Sequence, residues 1–149
     1  GKLLWSYNRV ACGTANVMTP VVSDPYVFVS NAYRTGAACL RMSAVGDGVS
    51  VEEVYFLPAQ TYQNHHGGMV AVGGYVYGGH GQNAGAPTCI EIATGKVMWK
   101  ESATPKRYRL VSSFEQPQMS GPAWAHPVIL NGRMYLRHND VLFCYDVKG

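Results

Sequence analysis

The sequence predicts an all-β chain: a partial arc, about three blades, of a larger β-propeller made of four-stranded antiparallel blades. Three observations carry this. A pattern of apolar strand, tight turn and apolar strand occurs three times, at intervals of roughly fifty residues. Two of the three units continue into a third and a fourth strand. The composition, with 17 Gly, 10 Tyr and only 14% charged residues, suits many short strands joined by turns and excludes a disordered chain.

The repeats align without gaps over Thr19–Asn31, Gly68–His80 and His126–His138. Their turns are Asp24-Pro25, Gly73-Gly74 and Asn131-Gly132. Asn-Gly between apolar runs is a strong hairpin signal, because a type I′ turn needs positive φ at both central residues. Third strands follow at Cys39–Met42, Cys89–Ile92 and Cys144–Val147, and fourth strands at Val51–Phe56 and Val97–Lys100. A sandwich or barrel also has short strands at turn intervals, but neither requires this repeated register.

The expected organisation is an outer strand over 1–7, a blade over 17–57, a blade over 66–101, and an outer strand plus closing blade over 107–149. Residues 108–114 read as a fourth strand without the three that should precede it, so a blade is shortened near 101–107 or residues are missing there. Cys144–Gly149 aligns with Cys89–Thr94, and Gly1-Lys2-Leu3-Leu4-Trp5 continues that register. The first strand therefore either closes the last blade or marks a cut within an earlier one. The absence of Met at position 1 points to a processed, engineered or truncated start. Complete propellers have about 4–8 blades, so further blades or a homo-oligomer are expected to cover the open faces.

The net charge of +3 is scattered, and its densest spot is Lys106, Arg107 and Arg109 around Tyr108. Nucleic acid needs a basic patch or stripe, so it is not an expected partner. No run approaches the ~20 apolar residues of a membrane span, and no signal peptide is visible.

The run Cys89-Ile90-Glu91-Ile92-Ala93-Thr94-Gly95-Lys96-Val97-Met98-Trp99 resembles the repeat motif of the PQQ-like (quinoprotein-type) propellers. Gly1, Lys2 and Trp5 repeat the part played there by Gly95, Lys96 and Trp99. Gly95 would serve the hairpin between third and fourth strands, and Trp99 would cover the seam to the next blade. The segments Gln63–Val70 and Trp124–Pro127 are most similar to secreted bacterial members. The resemblance implies a periplasmic or secreted location, and allows PQQ and Ca²⁺ as cofactors. The family holds alcohol dehydrogenases and non-enzymatic scaffolds alike, so function has to be argued from sites.

His65 and His66, preceded by Asn64 and followed by Gly67-Gly68, sit just before a strand in a loop of the kind that gathers at a channel mouth. His126 occupies the corresponding loop of the last unit. These four residues, Asn64, His65, His66 and His126, are the candidate ligand-binding set. Their spacing is no zinc motif, and no metal site is assigned. Asn31, His80 and His138 are repeat-equivalent and close second strands; the favoured reading is a polar cap bonding loop backbone. Cys39, Cys89 and Cys144 share one third-strand position, too far apart for disulfides, and read as small buried hydrophobes. Cys12 reads as an exposed turn cysteine.

A quinoprotein dehydrogenase needs an Asp base, oxygen ligands for Ca²⁺ and a stacking aromatic. The few carboxylates lie in turns (Asp24, Asp47, Asp140), on an outer strand (Glu52, Glu53) or in the repeat motif (Glu91, Asp146). No catalytic set is identified. The Gly-rich run Gly78–Gly85 lies between strands and reads as a loop, not a phosphate cradle. The function expected is a module that binds a small ligand or a protein. The alternatives are a PQQ/Ca-dependent alcohol or sugar dehydrogenase whose site lies partly in missing blades, and a structural subunit assembling into rings.

Overall fold

The computed structural model describes residues 1–100, 115, 117, 120–121 and 127–147. It is all-β: among the described residues there is no helix, and the strands form three antiparallel sheets, none of them closed. The chain divides into two compact units, Gly1–Tyr108 and Arg109–Gly149.

The first unit holds two four-stranded sheets. One is the meander β1 (Val21–Ser23), β2 (Tyr26–Asn31), β3 (Gly36–Val45) and β4 (Gly48–Leu57). The other is β5 (Met69–Val72), β6 (Tyr75–His80), β7 (Ala86–Glu91) and β8 (Val97–Lys100). The second unit holds a three-stranded meander of β9 (Val128–Leu130), β10 (Arg133–His138) and β11 (Val141–Asp146). The expected strand over 108–114 and His126 lie outside the described residues.

The repeat seen in the sequence is present in the pairing. Val21–Phe28–Cys39–Tyr55 and Val70–Tyr77–Cys89–Trp99 form matching rows across the two sheets. Each sheet then carries a register shift at the same place, after Cys39 and after Cys89. Gly73-Gly74 and Asn131-Gly132 have positive φ at both central positions, as type I′ turns require. One backbone bond recurs in all three sheets. The N–H of Met42, Ile92 and Val147 donates to the carbonyl of Pro25, Gly74 and Gly132, each at 2.9 Å.

The two sheets of the first unit pack face against face, with their backbones closest at β1 and β5. Phe28, Ala37 and Cys39 from the first sheet meet Met69, Val76, Ile90 and Ile92 from the second in one core. Tyr62, from the β4–β5 connection, is fully buried in that core, with its ring 5.9 Å from Phe28. Tyr55 reaches across, and its hydroxyl donates to the Ile92 carbonyl at 2.8 Å.

Residues 1–7 pair into no sheet. The Tyr7 hydroxyl bonds Glu53 on β4 at 2.5 Å, and Arg9 pairs with Glu53 and lies over the Phe56 ring. Tyr7 and Arg9 thus tie the end of the segment to the face of the first sheet where Val27, Ala38 and Leu40 are buried, and no strand forms over 1–7. Cys39 and Cys89 are buried, as expected, beside Tyr55 and Trp99 of the fourth strands. Cys144 is exposed, against expectation. Its sheet has no fourth strand among the described residues to place an aromatic beside it. Cys12 is half-buried, and the loop N–H of Thr14 donates to its sulfur at 3.3 Å.

Gly95 makes the turn between β7 and β8 with φ +74°, and a Cβ there would come within 2.8 Å of the Tyr55 ring. Gly73 also has positive φ (+58°), but a Cβ there would meet nothing within 4 Å. Gly95→Ala therefore combines backbone strain with overpacking and is expected to cost about 2–4 kcal/mol. Gly73→Ala should cost about 1 kcal/mol. Urea denaturation of the two variants checks this; equal losses would show that Tyr55 does not press on Gly95.

Candidate functional site

The loops that leave β2 and β6 meet at one end of the two sheets of the first unit. Asn31, His80 and His138 end β2, β6 and β10 as the sequence suggested, and each bonds loop backbone. Asn31 donates to the Val10 carbonyl at 3.3 Å and accepts from the Ala32 N–H at 3.0 Å. His80 Nδ1 accepts from the Gln63 N–H at 3.3 Å. His138 Nε2 donates to the Gly121 carbonyl at 2.8 Å.

The β2–β3 loop turns through Tyr33 and Arg34, both left-handed at φ 56° and 67°. Two consecutive non-glycine residues in this region are costly unless their surroundings hold them. Two glutamines do so. Gln82 Oε1 accepts the Tyr33 N–H at 2.9 Å, and Gln63 Oε1 accepts the Arg34 N–H at 3.0 Å. Gln63 is fixed in turn, because its carbonyl accepts from Gly81 N–H at 2.9 Å.

His65 closes the lattice. Its Nδ1 lies 2.7 Å from the Gln82 carbonyl, which can only accept, so Nδ1 carries the proton. Nε2 is then an acceptor, and the Tyr33 hydroxyl donates to it at 2.9 Å. The Gln82 amide approaches the same nitrogen at 3.3 Å, and the Tyr33 ring stands edge-on to the imidazole at 5.0 Å. His66 is exposed, with its ring 3.7 Å from that of His65.

Around this lattice lies an open cleft of about 290 Å³. His65, His66, Gln82 and Asn83 supply its polar side chains, and Gly67, Gly79, Gly81 and Gly85 leave its walls low. Asn64 also borders the cleft but is buried, with its N–H donating to Ser30 Oγ at 3.2 Å and its side-chain amide to the Tyr62 hydroxyl at 3.4 Å. It shapes the wall from behind. Of the residues singled out from sequence, then, His65, His66 and Asn64 come together here. Tyr33 and Gln82 were missed. They occupy equivalent positions in successive repeats, two residues beyond Asn31 and His80, and that equivalence was the available signal.

Beneath the loops, burial lifts the Tyr62 hydroxyl pKa to about 12. A Cβ on Gly78 would meet that hydroxyl at 2.4 Å, so glycine is required there. Among the described residues, no group of three or more His, Cys, Asp and Glu side chains could hold a metal ion. No helix of the described residues is long and apolar enough to cross a membrane. No family model matches the sequence, and no curated protein does.

Burial first, and the charge of Lys100 second, hold the His80 pKa below its ordinary 6.5. The neutral ring is the form whose Nδ1 can accept from Gln63. Its stabilising contribution is complete above pH 6.5 and is lost as pH falls through the folded value. His80→Asn, which installs the residue of the first repeat, should flatten part of the loss of stability between pH 7 and 5. Urea midpoints measured across that window test this, and identical pH profiles for the two proteins would rule it out.

Proposed function

We propose that this chain is part of a propeller-type repeat array and serves as a binding module, with the cleft beside His65, His66 and Gln82 as its ligand site. The observation that carries the reading is the hydrogen-bond lattice through Tyr33, His65 and Gln82. It holds a strained turn and an imidazole in one geometry beside open glycine walls, which is how a preformed site is built. The propeller reading is supported by the matching rows, the matching register shifts and the closest approach of the sheets at their first strands. The PQQ-like resemblance fits the same architecture, and with it we propose a periplasmic or secreted setting.

The dehydrogenase alternative fits this cleft poorly. PQQ is a quinone bearing carboxylates, and Ca²⁺ binds through several oxygens, carboxylates foremost. The cleft lining contains no Lys or Arg for the one and no Asp or Glu for the other.

A specific observation favours the ring-assembly alternative as a further role. The row Val70–Tyr77–Cys89–Trp99 is the counterpart of the row Val21–Phe28–Cys39–Tyr55 that packs in the core, yet Val70 is 56% and Trp99 41% exposed. A sheet of the same repeat from a second copy would fit it. Concentration-dependent association by sedimentation, abolished in Trp99→Glu, is the expected result; a monomer at all concentrations would count against it.

For the cleft, a fragment screen by amide NMR should shift Gly79, Gly81, Gly85 and His66. His66→Ala should weaken the hits about tenfold. Hits that gather elsewhere, or dye-linked alcohol oxidation appearing on addition of PQQ and Ca²⁺, would overturn the reading.

A further inference from the structure

We infer that the ligand of this cleft is a small, uncharged, hydroxyl-rich molecule, of the size of a single sugar ring. The inference rests on the cleft being a binding site and adds the class of molecule it takes.

The first argument is charge. None of the residues lining the cleft is an Asp, Glu, Lys or Arg. An ionic ligand would lose water on entry and find no counter-charge. Phosphates, carboxylates and ammonium groups are therefore disfavoured.

The second is hydrogen-bonding character. The polar side chains are two imidazoles and three carboxamides, counting the buried Asn64, and each of these groups can both donate and accept. A hydroxyl likewise donates once and accepts twice, so it can use either face of such a group. The lattice has already committed His65 Nδ1 to the Gln82 carbonyl and the Gln82 Oε1 to Tyr33. The adaptable contacts left for a ligand are those of Asn83, which is exposed, and of the backbone at the glycine walls.

The third is size and shape. A volume of about 290 Å³ falls at the bottom of the range for ligand sites, roughly 300–1,000 Å³. One small ring fits within it.

The test is a titration followed by amide NMR. The neutral probes are glucose, galactose, mannose and inositol; the charged counterparts are a hexose phosphate and glucosamine. At least one neutral probe is expected to shift Gly79, Gly81, Asn83 and Gly85 saturably, with its charged counterpart at least tenfold weaker, a difference of about 1.4 kcal/mol. Asn83→Ala should weaken the neutral probe several-fold without changing the fold. A charged probe that binds more tightly at the same amides would overturn the ligand class and leave the cleft standing as a site. Cleft amides unmoved by every neutral probe would also overturn it. The fragment screen described above then decides separately whether the cleft binds anything.

Discussion

The structure depends on one close approach, that of the two sheets of the first unit across a seam filled by two tyrosines. Tyr62 stands over Gly78 and Tyr55 over Gly95, and neither glycine has room for a Cβ. Removing a large side chain from water is worth about 1.5–3 kcal/mol, and Phe28, Tyr62, Val76 and Ile90 are all fully buried at this seam. Gly78 leaves room for the Tyr62 hydroxyl and Gly95 for the Tyr55 ring, so both side chains come close to backbone.

The loops inherit their geometry from that seam. Tyr62 lies two residues before Asn64 and three before His65, so burying its ring sets where the β4–β5 connection crosses to the second sheet. From there Gln63, His65 and Gln82 reach the turn at Tyr33 and Arg34. Each of these bonds is modest, about 0.5–1.5 kcal/mol net. Together they hold two left-handed residues that would not stay so in an isolated hairpin. A site of this kind is a property of the pair of sheets, because neither sheet supplies both the turn and the glutamines that hold it.

Much of this was legible in the sequence, because the repeat repeats its chemistry. Asn-Gly and Gly-Gly marked the hairpins, and the Cys positions marked the third strands. The equivalence of Asn31, His80 and His138 correctly foretold polar caps. Local patterns could not show what depends on contacts distant in sequence. Leu3, Leu4 and Trp5 read as a strand because they match Val97–Trp99, yet Tyr7 and Arg9 tie the following residues to Glu53, some 45 positions away. Cys144 read as buried like its counterparts, but Cys39 and Cys89 each lie beside a fourth-strand aromatic, and no described residue stands so beside Cys144. Tyr33 and Gln82 looked like ordinary loop residues. Only the facing of one sheet on the other makes them partners.

The cleft takes its shape from the glutamine-held turn, and native-state hydrogen exchange at the Tyr33 and Arg34 amides tests that dependence most directly. Both residues are exposed, and the bonds that protect their N–H groups run to the side chains of Gln82 and Gln63. Both amides are predicted to exchange far more slowly than free peptide, with Gln82→Ala releasing Tyr33 while Ile90 in the core stays protected. Exchange of Tyr33 and Arg34 at free-peptide rates in the unmodified protein would contradict this, since the lattice that shapes the cleft would then not persist in solution.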